Sequence, residues 1–293
     1  MKNKFPVTKI CILSCFLFTG ICISNVVAAR SLTTIIDTNE IRICLAGSTQ
    51  YFYKKNALAF VDYLNKNFIS GELQATFISF EKWNDQFVKN NGKVGKDESY
   101  TPAPLASGEC DLYPNDLVRV DWRESKMAYV DIFFSRNIIL VHKSKINEYK
   151  QVSDLAGKTA AVMGGTSFHS WLEEQNETQF KSNPIKIALL PQQDAFKAIS
   201  SNKYDFAITG ADGAFWAINS TAPDAVVAFP VGKSKTIYGW CFRKEDKHLQ
   251  AVVSDFFIEQ RSRLDSQLNT NWKEYYGISL SEFSLFLSST YFL

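Results

Sequence analysis

Histidine is scarce in this chain: three residues in 293, His142, His169 and His248, scattered along it. There is no His-Glu-x-x-His pair, no Gly-x-Ser-x-Gly elbow and no phosphate loop. The usual sequence marks of metal-dependent hydrolysis, serine acyl transfer and nucleotide hydrolysis are therefore missing. Cysteine is sparse too. Of six, Cys11, Cys15 and Cys22 fall in the first 29 residues, and Cys44, Cys110 and Cys241 have no close spacing that suits a zinc site. No enzyme activity, cofactor or metal is expected. Basic excess is also lacking. The formal charge is +2, and the first 29 residues hold three lysines and no acid, so the remaining chain sits near −1. That balance speaks against nucleic acid as a partner. No internal repeat and no low-complexity tract are present, and nothing after residue 30 is apolar enough to span a bilayer.

What is present begins with a leader. Lys2, Lys4 and Lys9 precede a mostly apolar run from Ile10 to Val27, and Val27-Ala28-Ala29 offers small residues for cleavage before Arg30. Residues 1–29 read as a signal peptide, and its removal leaves 264 of 293 residues for one large domain or two smaller ones. In an exported chain the last three cysteines are either one disulfide plus a buried thiol or three buried apolar side chains.

Residues 154–172 carry the strongest local pattern. Thr159–Met163 is a short apolar strand, Gly164 and Gly165 end it, and Thr166 or Ser167 caps a helix with Phe168, Trp171 and Leu172 inward. Glycines let a ligand reach the backbone, and the free N–H groups and dipole of a helix start favour an anion. The same strand–turn–helix order recurs at Ile41–Ala46 with Gly47–Gln50, before a helix expected to turn Leu58, Val61 and Leu64 inward. Tyr51, Phe52 and Tyr53 open that helix, and Trp83 and Phe87 lie in a short helical piece after a strand at Leu73–Phe80. Residues 89–104 are polar and rich in breakers, which predicts an exposed loop. Further strands are expected at Asp111–Pro114, Arg136–Lys143, Ile185–Leu190, Tyr204–Thr209, Ala225–Phe229 and Thr236–Arg243. The stretch 115–126 between the first two reads as irregular. Strands alternating with helices predict an α/β fold of parallel sheets, with ligands at the carboxyl ends of strands. Gly47–Gln50, Asn115–Arg123, Gly164–Ser167 and Gly210–Asp212 all follow strand ends, which suggests one shared crevice.

Ser107-Gly108-Glu109-Cys110-Asp111, Trp122-Arg123-Glu124 and Tyr129-Val130-Asp131-Ile132-Phe133-Phe134 resemble, in order and spacing, family-three periplasmic solute-binding proteins, the amino-acid receptors of ABC importers. Arg123 lies twelve residues after Asp111, as in that family. Leu155–Ser167 is similar to its Leu-x-Gly-Lys-x-x-x-Val-x-x-Gly-Thr-Ser/Thr motif, and Tyr238–Lys244 to its return strand. The resemblance implies a type II periplasmic-binding-protein fold. Residues 30–135 plus 240–293 would form one lobe and 141–235 the other, joined by hinge strands 136–143 and 236–243. It also implies a periplasmic monomer that captures a small carboxylate ligand, an amino acid or relative, and hands it to the membrane permease of an ABC importer. Arg123 would pair with the ligand carboxylate, with Gly165, Thr166 and Ser167 holding it from the other lobe. Asn115, Asp212, Tyr51 and Trp83 complete the expected set of ligand contacts. The chain departs from the family at Val118, where a Thr is usual, and at Gly210, where an acid usually meets the ligand ammonium. Tyr51-Phe52-Tyr53 stands in for a Gly-x-Asp-x-Asp stretch. A sensory module feeding a membrane receptor, or a periplasmic dehydratase, are the alternatives on the same fold.

Overall fold

The computed structural model describes residues 30–47, 50–69, 72–81, 103–232 and 235–289. The expected signal peptide, Trp83, Phe87 and most of the 89–104 loop lie outside the described residues. The chain opens with helix α1 (Leu32–Asp37), strand β1 (Glu40–Ala46), helix α2 (Gln50–Asn67) and strand β2 (Gln74–Phe80). A short helix α3 (Ala103–Ala106) leads into β3 (Tyr113–Val118), α4 (Asp121–Glu124) and β4 (Ala128–Ser135). Next come β5 (Asn137–His142), β6 (Thr159–Val162), α5 (Ser167–Glu177), β7 (Lys186–Leu189), α6 (Gln192–Ser200), β8 (Phe206–Gly210), α7 (Ala211–Ser220) and β9 (Ala225–Pro230). Strand β10 (Thr236–Phe242) and helices α8 (Lys247–Ser262), α9 (Gln267–Tyr276) and α10 (Leu280–Ser289) complete it. Among the described residues no helix is long and apolar enough to cross a membrane.

Two sheets share one topology. In the first, β1 pairs in parallel with β2, and a parallel bridge between Ile43 and Leu112 joins β1 to the start of β3. Strand β10 then runs antiparallel between β3 and β4, giving the order β2-β1-β3-β10-β4. The second sheet has the order β7-β6-β8-β5-β9, with β7, β6 and β8 parallel and β5 antiparallel between β8 and β9. Four strands of each sheet run parallel, as the sequence predicts, and one in each runs the other way. In each case the reversed strand is the one that brings the chain in from the other sheet. Strand β5 belongs wholly to the second sheet and β10 wholly to the first. Arg136 separates β4 from β5, and β9 ends at Pro230 before β10 starts at Thr236.

The inward faces follow sequence periodicity closely in α6 and α8. Ala195, Phe196 and Ile199 are buried on the first, and Leu249, Val252, Val253, Phe256 and Phe257 on the second. Helix α2 differs from expectation. Val61 and Leu64 are buried, but Leu58 is 39% exposed and the inner stripe runs through Tyr53, Ala57, Phe60 and Leu64. That stripe follows the i, i+4, i+7 geometry of a helix face. One continuous core spans both sheets. Phe215 of α7 meets Phe283 and Phe286 of α10 edge-on, with centroids 5.6 and 5.2 Å away, and Asn219 Nδ2 donates to the carbonyls of Glu274 and Tyr275. These contacts tie the second sheet's helices to the C-terminal ones.

Cys44 and Cys110 form a disulfide with Cα atoms 5.7 Å apart, and Cys241 is a buried free thiol. Of the two readings left open by the sequence, the structure takes the first. The Cα separation lies within the ordinary range for a bridge. Cys241 packs with the bridge, Leu117 and Met127, and burial pushes its thiol well up, which leaves it unreactive.

Candidate functional site

The carboxyl ends of β6, β7 and β8 all lie along one edge of the second sheet, because the three strands are parallel. Three helix starts therefore gather there: Thr166–Ser167, Gln192 and Ala211–Asp212. Ala160 and Ala161 pair with Phe206 and Ala207, and this register continued forward brings Gly164 level with Gly210. The turn singled out in the sequence and the loop that carries Asp212 are thus neighbours on one edge. Strand β5 starts at the same edge, where Asn137 pairs with Gly210.

A cavity of about 280 Å³ opens between the sheets, lined by Tyr53, Asp116, Val118, Arg123, Phe133, Asp212, Tyr238 and Tyr276. Its floor is a row across the first sheet. Val118 of β3 pairs with Tyr238 of β10, which pairs with Phe133 of β4, and the last two rings stack 4.8 Å apart at 9°. Val118, where a Thr is usual in the resembling family, thus contributes an apolar floor beside Arg123. Arg123 rises from α4. Its Nη1 donates to the Val118 carbonyl at 2.9 Å, which orients the guanidinium against the floor. Tyr53 enters from the inner face of α2 and Tyr276 from the last turn of α9, where Gly277 at φ 74° ends the helix.

Asp212 is the second sheet's contribution. It sits in the first turn of α7, and Ser135 Oγ donates to its Oδ1 at 2.6 Å. Burial pushes its carboxyl up, partly offset by the Ser135 hydroxyl and by the backbone N–H groups of Asp212 and Gly213. Gly210 explains why the acid stands there and not two residues earlier. A Cβ at Gly210 would lie 2.7 Å from Asp212 Oδ1 and 3.3 Å from Ser135 Oγ. A side chain at position 210 would displace the Ser135–Asp212 hydrogen bond.

Asp116 arrives through an irregularity in β3. Leu117 pairs with Gly239 but Tyr113 pairs with Cys241, so Pro114, Asn115 and Asp116 stand against Trp240 alone. The extra length forms a bulge, which re-aims side chains. Asp116 takes φ 49°, a left-handed conformation that Asp and Asn tolerate better than most residues. Its carboxyl is raised well above the usual range by burial first and by the Asp212 carboxylate second. The same two acids raise the phenol of Tyr238, which Asp212 affects most, and that of Tyr276, where burial leads.

The other expected site residues divide. Asn115 is fully buried; its Nδ2 donates to the Cys44 carbonyl at 3.1 Å and its Oδ1 accepts from Ala46 N at 3.3 Å, so its amide bridges β3 to β1. Tyr51 is 66% exposed with Lys55 over its ring, while Tyr53 lines the cavity. Thr166 caps α5 by accepting from His169 N at 3.2 Å and donates to the Met163 carbonyl at 2.7 Å. Gly165 has φ 74°, and a Cβ there would meet nothing within 4 Å, so the backbone is open to approach. Gly165, Thr166 and Ser167 lie on the edge that carries Asp212 but not among the cavity's lining residues. Asp116, Phe133, Tyr238 and Tyr276 were not among the expected ligand contacts. The helical period of α2 was enough to choose Tyr53 over Tyr51. For Tyr276, some 150 residues from Arg123, no local signal exists. Among the described residues no group of three His, Cys, Asp or Glu side chains is placed to hold a metal ion.

No protein-family model and no curated protein matches the sequence. Solved structures match by shape. A polar amino-acid ABC uptake transporter substrate-binding protein from Streptococcus thermophilus aligns with a TM-score of 0.65 at 15% identity, over 86% of this chain and 91% of that one. An ancestral cationic amino-acid solute-binding protein aligns at 0.60 and 16% identity, over 83% and 98%. A second structure of it, at 0.50, is described as a precursor of cyclohexadienyl dehydratase. An amino-acid ABC transporter substrate-binding protein from Streptococcus pneumoniae, bound to L-arginine, aligns at 0.51 and 16% identity, over 84% and 99%. The mixed sheets, their shared strand order and these likenesses agree: the chain has the two-lobe α/β fold of the amino-acid ABC-transporter substrate-binding proteins of the family-three type.

Proposed function

We propose that this chain is an extracytoplasmic solute-binding protein that captures a small amino acid or a relative and delivers it to an ABC importer. The observation that carries the reading is that Arg123 and Asp212, from the two sheets, line one cavity. A guanidinium matches a carboxylate with two parallel hydrogen bonds, and a buried carboxylate suits an ammonium. The pair has the charges of an α-amino acid in reverse, set among aromatic rings. Gly165, Thr166 and Ser167 serve the ligand carboxylate from the second sheet when the cleft closes. Neighbours described as amino-acid binders support the same reading.

Calorimetry against amino acids, keto acids and short peptides tests it. A charge-assisted hydrogen bond contributes about 1.5–3 kcal/mol, so Arg123→Ala is expected to weaken the best ligand tenfold or more. Arg123→Lys recovers only part, because an ammonium cannot fork. Unchanged affinity in Arg123→Ala would remove the carboxylate assignment. Steady conversion of the ligand to a product would replace the binding reading with an enzyme related to the dehydratase lineage.

Export is part of the proposal. Arg30 is 6% exposed, with Nη2 donating to Thr38 Oγ1 at 2.7 Å and to the Glu40 carbonyl at 2.6 Å, so the residue after the expected cleavage site is docked on the fold. N-terminal sequencing of protein from the cell envelope is expected to begin at Arg30; a chain still starting at Met1 would show the leader misread.

A further inference from the structure

We infer that Asp116 is a second cation-binding carboxylate of the cleft, so that the ligand carries two positively charged groups beside its carboxylate. The inference rests on the amino-acid reading above and narrows its ligand class. Its ground is the different treatment of the two acids. Asp212 accepts the Ser135 hydroxyl and sits at a helix start, contacts that favour its charged form and partly offset burial. Asp116 accepts no hydrogen bond and makes no ion pair with any described residue, although it is 9% exposed and lines the cavity. Buried acids are ordinarily paired, and leaving one unpaired is costly. The chain nevertheless keeps it in a left-handed backbone conformation at a bulge beside Pro114, a position that glycine would occupy without strain.

Charge balance gives the ligand class. Arg123 supplies one positive charge, and Asp116 and Asp212 supply two negative ones. An ordinary zwitterion satisfies Arg123 and one acid and strands the other. A molecule with one carboxylate and two amine-type cations satisfies all three. The remaining walls suit a cation as well. Tyr53, Phe133, Tyr238 and Tyr276 present rings that attract positive charge without competing for it. An adjoining space of about 600 Å³, which shares Tyr53, Asp212 and Tyr276 and continues past Gln192 and Trp216, leaves room for the length of such a molecule.

The test uses pairs of amino acids matched in shape and differing by one charge: L-arginine with L-citrulline, L-lysine with L-2-aminoheptanoic acid, and L-ornithine with L-norleucine. Affinities are measured on the full mature protein, its Asp116→Asn variant and its Arg123→Ala variant. Asparagine tolerates the left-handed backbone and removes only the charge, and a thermal melt checks that the variant is folded. The cationic member of at least one pair is expected to bind tenfold tighter or more. Asp116→Asn is expected to bring that ratio to within threefold, while Arg123→Ala weakens both members. Equal binding within the pairs, tighter binding of the neutral member, or a preference that survives Asp116→Asn overturns the inference. In that event the two acids share a proton, and the amino-acid reading stands if Arg123→Ala still weakens binding. Failure of all six compounds overturns the inference while another amino acid of the wider panel binds; failure of the wider panel as well overturns the reading on which it rests.

Discussion

Arg243→Ala is expected to destabilise the fold by about 3–5 kcal/mol, the usual loss when one partner of a buried ion pair is removed. Arg243 is 4% exposed and sits where β10 ends. Its Nη1 donates to the carbonyls of Leu105 and Cys110 at 3.1 and 2.8 Å, and its Nη2 to the Arg30 carbonyl at 2.7 Å. It faces Asp111 at 3.5 Å, and its Nε lies 2.8 Å from Asp246 Oδ2 in an ionic contact too poorly aligned for a hydrogen bond. Truncation would strip buried Asp246 of its cation, leave Asp111 to Arg30 and the Arg42 N–H, and take the donor from the Cys110 and Arg30 carbonyls. The loss should depend on pH. Burial pushes Asp246 up to about 6 against the pull of Arg243, and burial also raises Asp111. An unfolded Asp titrates near pH 3.9. Between roughly pH 4 and 6 the folded chain therefore holds a proton that the unfolded chain has released, and Asp246 contributes stability at low pH that is lost as pH rises through 6. Without Arg243, Asp246 loses its cation and is relieved by protonation, while Asp111 keeps Arg30. Urea unfolding at pH 7.5 and pH 5 is the measurement: the penalty should be larger at pH 7.5. Equal penalties at both pH values would show that the acids do not respond to the arginine.

Removing the Cys44–Cys110 bridge is expected to cost about 4 kcal/mol. The two residues are 66 apart in sequence, and closing a loop of that length restricts the unfolded chain by this amount in the chain-entropy account. A Cys44→Ala/Cys110→Ala double variant avoids mispairing with Cys241. Its urea midpoint should fall well below the wild type's, and a reductant should shift the wild type toward it while leaving the variant unmoved. Thiol titration of denatured mature protein should find about one free thiol before reduction and three after, from the cysteines that remain past residue 29. Three thiols before reduction, or a wild-type midpoint indifferent to reductant, would contradict the bridge. A structural disulfide also suits an oxidising compartment, in keeping with the proposed export.

The sequence by itself determined the fold class and most of the elements, though not β4 or the part of β3 beyond Pro114. Apolar period reported the inner faces of α6 and α8, because burial repeats along a helix at fixed spacing and needs no knowledge of the partner. Gly164–Gly165 with Thr166 reported a strand–turn–helix join, because positive φ and capping are local chemistry; the structure has φ 74° at Gly165 and a Thr166 cap. Motif order was enough to indicate the two-lobe fold and to single out Arg123, which lines the cavity. Only the tertiary structure decided the composition of the cavity. Val118, Tyr238 and Phe133 form its floor because three strands distant in sequence share a register. Asn115 turns to β1 while Asp116 shares the cleft face with Val118 two residues on, and the bulge opposite Trp240 decides where that face falls against β10. Asp212 reaches the cleft because Gly210 leaves room for it beside Ser135. Pairing register, bulge and clearance are relations between distant segments, and no window along the chain contains them.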